Sequence, residues 1–353
     1  MNIKLSVEER AKFQSLVKQK SYNIEIANLF NNLCLYNDDN LIDYLKENDD
    51  KLDSTFLFQT ILNIIDVDDI KMVRPYLEHS FIVEDETKYL ANPYYKTIKP
   101  FADKDSDVKL TTLKYEPYTF FPLDEIKVEK DNYREISYLG LFKKDYPYLA
   151  LIDKEGIWMC ITPNEINTMQ PYIDKAKGNV ITFGLGLGYF AFMAANKNEV
   201  DKVTIIERDE KVINIFKKNL LPLFPNREKI QIIKSDAISY IKNNDMNQYD
   251  FVYYDLWHNP NDGLPLYIKL KKLETKQSYY WLEESIIALL RRYMITLIEE
   301  QLKGFKESEY QKINNTDDEI ISSLYYATKE TKITTYQEII NLLSNKSLLS
   351  LIK

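Results

Sequence analysis

The chain has little cysteine, histidine or glycine. Among its 353 residues there are two cysteines, Cys34 and Cys160, and two histidines, His79 and His258. They stand far apart, which excludes the ligand spacing of a zinc site and a disulfide framework, so no metal is expected. Such usage suits a reducing compartment, and a cytoplasmic location is expected. No apolar run reaches the roughly 18 residues of a spanning helix, so no membrane segment is expected. The start, MNIKLSVEERAKF, lacks the apolar core of a signal peptide. Ser6 and Glu9 instead have the spacing of a helix capping box. Positive charge is also short: the formal net charge is −8. That removes the broad basic footprint of a nucleic-acid binder. The basic pairs Lys217, Lys218 and Arg291, Arg292 read as solvated helix faces.

What is abundant is tyrosine, with 27 residues. Tyr buries a ring while keeping its hydroxyl paired, which serves cores and wet clefts alike. A chain of this length predicts two or three structural units. Residues 1–112 form a mainly helical N-terminal region, with apolar residues at helical spacing in VEERAKFQSLVKQ, IEIANLFNNLCLY and FLFQTILNII. Asn92 to Tyr95, NPYY, reads as a loop within its less regular end. Residues 113–175 read as a small β-rich leader, with REISYLGLF, YLALID and GIWMCIT as strands, followed by a Pro-initiated linker helix. In 176–275 short apolar strands (NVITF, KVTIIE, IQIIKSD, YDFVYYD) alternate with helices. That alternation predicts parallel βαβ units buried on both faces, a Rossmann-like α/β domain. Residues 276–353 read as helical again, beginning with YYWLEESIIALLRRYMITLIEEQLKGF.

Three of the eight glycines fall in VITFGLGLGYFA, between a strand and a helix. Glycines there let the backbone turn tightly and let a ligand approach the helix N-terminus. The next strand ends at Glu207, where a carboxylate can accept both hydroxyls of a ribose. Asp236 and Ala237 end the third strand, where a carboxylate can accept from an adenine amino group. Asp255 ends the fourth, near a reactive centre. Each acid alone reads as a cap; the set in register points to an adenosine-type ligand. Tyr189 stands where a dinucleotide fingerprint would place its last glycine, and Gly184, Gly186 and Gly188 have the G-x-G-x-G spacing that favours S-adenosyl-L-methionine over NAD.

Residues 133–262 resemble the class I S-adenosylmethionine-dependent methyltransferase superfamily, and more narrowly its spermidine synthase-like branch. VTIIERDEKVINIFKKNLLP is similar to the branch's ribose-binding segment and KSDAISYI to its adenine-binding segment; the β-rich leader matches its hairpin region. The resemblance implies an S-adenosyl-L-methionine-dependent transferase acting on a small-molecule acceptor, with Asp255 kept from the branch's catalytic D-x-x-D. His258 stands at the second acid's place. Thr182 and Leu187 stand where relatives carry acids, and Cys160 where the branch carries an amine-holding Gln. No Pro-Gly-Gly turn follows the fourth strand, so the sheet is expected to be truncated or continued by helices.

Methyl transfer from a sulfonium needs alignment of the nucleophile and exclusion of water. Asp255 could orient or deprotonate an amine, and His258 titrates in the range of a base. Tyr189 and Trp257 could wall the sulfonium or serve as core aromatics. Glu165 reads as a helix-dipole partner or a cleft-facing substrate carboxylate; Glu283 and Glu284 read as helix-surface acids. Methyl transfer is the leading expectation. Aminopropyl transfer and a non-catalytic nucleoside-binding protein are the alternatives. The flanking helices could shape a substrate pocket or a homodimer interface.

Overall fold

A computed structural model describes residues 1–35, 38–65, 70–103 and 107–352. Its centre is a five-stranded parallel sheet in the order Ile230–Lys234, Val200–Glu207, Gly178–Phe183, Phe251–Tyr254, Tyr279–Tyr280. The strands are short and almost wholly apolar because helices cover both faces. Val180, Ile181, Phe183, Val203, Ile205, Val252 and Tyr253 are all buried. Chain order reverses at Gly178–Phe183, which pairs on one side with the second strand and on the other with the fourth. Such a switch opens a crevice beyond the carboxyl ends of these strands.

The sheet is not cut off at four strands. Tyr279–Tyr280 adds a fifth, parallel to Phe251–Tyr254, and Trp281 N–H continues the ladder to the Tyr254 carbonyl. The expected long helix therefore begins only at Glu283, as Glu283–Leu302. Two aromatic residues suffice for this strand because they stack on the sheet: Tyr280 on Tyr254 at 4.8 Å and Tyr279 on Phe251 at 4.6 Å. After it the chain is mainly helical.

The leader is a four-stranded sheet, Gly156–Ile161, Tyr146–Asp153, Lys109–Tyr115 and Phe101–Ala102, paired antiparallel throughout. A second sheet joins Phe81–Glu84, Leu139–Phe142 and Phe121–Pro122. It packs with the N-terminal helices around a separate core that includes Phe30, Leu57, Phe58, Tyr76 and Phe81. The two ends of the chain meet: Asn2–Ile3 pairs parallel with Lys332–Ile333. Glu9, whose N–H does donate to Ser6 Oγ, spends its carboxylate on Lys12 and on the Tyr336 N–H.

A polar knot ties these regions. Glu135 is 6% exposed. Its carboxylate accepts from Arg292 Nε at 3.0 Å, from the same guanidinium's second nitrogen, and from Asn23 Nδ2 at 3.1 Å. Asn23 comes from the long first helix, Glu135 from the leader, Arg292 from Glu283–Leu302. Arg291 is 2% exposed, lies 4.6 Å over the Tyr133 ring, and donates to the Leu343 carbonyl. These two arginines are thus not on a solvated face: consecutive helix positions turn them toward two different neighbouring regions. Lys217 and Lys218 are exposed. Among the described residues no helix is long and apolar enough to cross a membrane.

Breaking the knot on one side strands a buried charge. Arg292→Met is expected to cost about 3 kcal/mol in urea denaturation, with much of it recovered when Glu135→Gln is added. Unchanged stability in the single variant would show that the pair is not a tie.

Candidate functional site

The glycine loop and Asp255 form the crevice together. Gly184 has φ +100°, and a Cβ built on it would lie 1.9 Å from the Asp255 carbonyl oxygen. Only glycine permits this approach. The contact follows from register: Phe183 pairs with Tyr254, so the next residues, Gly184 and Asp255, leave the sheet side by side. Asp255 N–H donates to the Phe183 carbonyl at 2.8 Å. Gly186 differs. It has φ +50° and is exposed, and a Cβ there meets nothing within 4 Å. It is the loop position that faces open space, a cradle that a side chain would fill. Gly188, at the start of helix Tyr189–Ala195, is packed against Phe216.

Glu207 braces this loop. Its carboxylate accepts from Leu185 N–H at 3.1 Å and from Asp209 N–H at 2.8 Å. Each oxygen has a second lone pair left for a hydroxyl donor. Asp236 ends the neighbouring strand, is exposed, and caps helix Ala237–Asn243 by accepting from Ser239 N–H at 2.9 Å. Ala237 lies buried behind it. Glycine loop, Glu207 and Asp236 thus occupy successive strand ends, as a nucleoside site requires.

On the other side two acids, Glu165 and Asp255, are near enough for one to bear on the other's charge. Thr162 caps helix Pro163–Lys175 and places Glu165 in its first turn. Thr162 and Glu165 have capping-box spacing, yet the described hydrogen bonds run only from Glu165 N–H to Thr162 Oγ1. The Glu165 side chain is partly buried. Burial first, and Asp255 second, push Glu165 up to about 8. A helix N-terminus would lower it; burial wins. Burial alone pushes Asp255 up to about 7. Tyr253 feels the charge of both acids, and among the described residues its buried hydroxyl has no hydrogen-bond partner. Its pKa is raised by burial, then by Asp255, Tyr172, Glu165 and a third acid, Glu125. Burial first, and the charge of Glu165 second, push the Cys160 thiol up to about 11.

Glu125 comes from the leader and has no motif around it in the sequence. It accepts from Ser285 N–H at 2.9 Å, and burial pushes it up to about 7. Ser285 is presented by an unusual turn: Leu282 holds φ +55°, a left-handed conformation that costs a non-glycine residue about 1–2 kcal/mol. Tertiary packing between fifth strand and helix imposes it.

The other expected site residues lie elsewhere. The Tyr189 ring is buried against Tyr94, and its hydroxyl accepts from Asn92 Nδ2. Trp257 is buried against Gly263 and donates Nε1–H to the Trp281 carbonyl at 3.0 Å. Both are used in packing, not as a wall of the crevice. His258 is exposed; its backbone N–H donates to Asp262, and among the described residues no hydrogen bond or ion pair joins its ring to Asp255. Glu283 accepts from Tyr267 Oη at 2.7 Å, and Glu284 from Asn345.

A five-stranded parallel sheet with its order reversing at a glycine loop, flanked by helices, defines the class: a Rossmann-like fold of the class I methyltransferase kind. More particularly, residues 169–267 match the family model of the spermine/spermidine synthase domain. No curated protein matches at a significant level. Among solved structures, the chain is similar to spermidine synthase from Thermotoga maritima, at 13% identity and TM-score 0.28, over 48% of this chain and 68% of that one. It is also similar to a spermidine synthase in complex with the transition-state analogue AdoDATO, at 14% identity and TM-score 0.22, over 38% and 52%. A third is the methyltransferase domain of bacterial CtHen1-C, at 17% identity and TM-score 0.23, over 30% and 59%. The chain thus spans between about half and two thirds of these structures.

Two outcomes follow from the geometry. Gly184→Ala is expected to destabilise the fold by about 4 kcal/mol or more, against about 1 kcal/mol for Gly186→Ala, in thermal melts. Equal losses would contradict the distinct roles. The acids give a pH signature. Glu165 titrates near 4.5 when unfolded and near 8 when folded. Its ionisation therefore erodes stability as pH rises through that window, and the penalty is complete above it. Glu165→Gln should be more stable than the parent at pH 9 and equal to it near pH 4; a constant difference across the range would contradict this.

Proposed function

We propose that the chain is a transferase that moves an alkyl group from an adenosyl sulfonium to the nitrogen of a small cationic amine, with an aminopropyl donor favoured over a methyl donor. The observation that carries this is that Asp255, held against the glycine loop, and Glu165, in the first turn of the helix leaving the leader, bear on one another's charge and on Tyr253, whose hydroxyl has no hydrogen-bond partner among the described residues. The residues fit the adenosine half: open space lies over Gly186, and Glu207 and Asp236 flank it. Gly184, Gly186, Gly188, Glu207, Asp236 and Ala237 would hold that half. When bound, the donor supplies a carbon activated by positive sulfur, whose C–S bond breaks with the electron pair staying on sulfur.

The chain's residues do the rest. Carboxylates kept in a half-dry crevice bind a cation strongly, since its charge restores the ionised form they have lost. Asp255, nearest the loop, takes a proton from the amine's ammonium, and the lone pair so freed attacks the carbon bound to sulfur. Glu165 orients the same ammonium. Glu125, acting on the same tyrosines from the leader side, meets a second positive group. The matched family's name supports an aminopropyl donor. So does charge: a donor α-carboxylate would sit beside two acids whose shifts owe nothing to any basic side chain. Methyl transfer from S-adenosyl-L-methionine is the competing reading, because the adenosine half is common to both donors.

Thermal-shift titration separates them. Decarboxylated S-adenosylmethionine is expected to raise Tm more than S-adenosyl-L-methionine at equal concentration. Asp255→Asn should keep that shift while lowering transfer by about 10²- to 10⁴-fold. Failure of both donors to shift Tm would overturn the proposal, and a larger shift with S-adenosyl-L-methionine would favour methyl transfer.

A further inference from the structure

The NPYY segment is not an idle loop. Asn92 caps the short helix Pro93–Thr97 by accepting from Tyr94 N–H, and donates Nδ2–H to Tyr189 Oη at 2.8 Å. Tyr94 is 0% exposed; its hydroxyl donates to the Leu187 carbonyl, inside the glycine loop, at 2.6 Å. Its ring stands edge-on to Tyr189 at 5.4 Å and to Phe192 at 5.2 Å. Tyr95 turns the other way. Its hydroxyl donates to the Ile161 carbonyl at 3.0 Å and accepts from Leu149 N–H at 3.0 Å. Leu149 and Ile161 are register partners at the end of the leader hairpin. Tyr95 thus stands in for the last rung of that ladder, one residue before the Thr162 cap that leads to Glu165.

Two adjacent tyrosines therefore grip the two walls of the crevice. One wall is the glycine loop, which faces the nucleoside. The other is the hairpin exit, which aims Glu165. Tyr94 is buried and Tyr95 partly buried, and both hydroxyls bond to backbone, so neither grip can slide without losing a hydrogen bond at least partly shielded from water. We infer that Asn92, Tyr94 and Tyr95 form a positioning clasp that sets the distance between bound nucleoside and Glu165, with Tyr94 governing the nucleoside side and Tyr95 the acid side. None of the three touches the reacting atoms. This rests on the proposed transferase reading for its ligands, but the grips themselves do not.

The test removes one hydroxyl at a time. In calorimetric titrations with methylthioadenosine, Tyr94→Phe is expected to weaken binding about tenfold, as loss of one buried hydrogen bond to the loop implies. Binding of 1,4-diaminobutane to the nucleoside-saturated variant should stay unchanged. Tyr95→Phe should show the reverse. Tyr76→Phe, a buried tyrosine of the N-terminal core, should lower Tm and move neither constant. Amide hydrogen exchange gives a second readout without any ligand: faster exchange at residues 184–190 in Tyr94→Phe, and at 149–165 in Tyr95→Phe. Parallel losses of both ligands, or exchange that rises evenly in both variants, would overturn the clasp. If the parent binds no methylthioadenosine, the transferase reading fails, and the exchange pattern alone still decides the clasp.

Discussion

The rest of the site depends on the contact between Gly184 and the Asp255 carbonyl. Two parallel strands end in the same register, and the chain turns one way after the first and the other way after the fourth. Bringing the two backbones together needs a residue without Cβ. That contact places a nucleoside-type loop directly beside a carboxylate. Everything else is attached to this corner: Glu207 braces the loop from the second strand, and Glu165 arrives from the leader through a capped helix.

The corner is costly to stability. Among the described residues, two carboxylates are held partly out of water with no basic partner, and the Tyr253 hydroxyl, which feels both, is left unpaired. Each unsatisfied group disfavours the folded state. A purely structural cleft would have apolar side chains or a salt bridge there. The compensation lies away from the site, in the Glu135–Arg292–Asn23 knot and in two large cores that fix leader, N-terminal helices and C-terminal helices around the sheet. Backbone strain is spread over Tyr118, Tyr133 and Leu282, and of these Leu282 lies behind Glu125.

The βαβ alternation was legible because strands buried on both faces are nearly continuous apolar runs. The positions of the glycine loop, Glu207 and Asp236 at successive strand ends were legible because they follow from that alternation. The fifth strand was not. Tyr279 and Tyr280 sit in an apolar stretch with helical period, and only stacking on strands distant in sequence makes them extended. Glu125 was invisible because nothing local distinguishes a loop acid that folds into a crevice from one in water. Trp257 and Tyr189 are aromatic at suggestive positions, but their polar atoms found partners in Trp281 and Asn92. Arg291 and Arg292 were misleading for a related reason: sequence shows charge, whereas burial depends on what packs across the helix. NPYY reads as a loop because its two grips reach residues more than fifty positions away.

If Glu165 and Asp255 hold a cation next to a bound nucleoside, binding of that cation must release protons, and the protons can be counted. A group held near 8 is mostly protonated at pH 7 and one near 7 about half protonated, and a bound dication should drive protons off them. The measurement is calorimetric titration of 1,4-diaminobutane into protein saturated with methylthioadenosine, at pH 7, in two buffers of different ionisation enthalpy. The account predicts release of about one proton per diamine bound. Binding with no net proton release, or no binding at all, would contradict it.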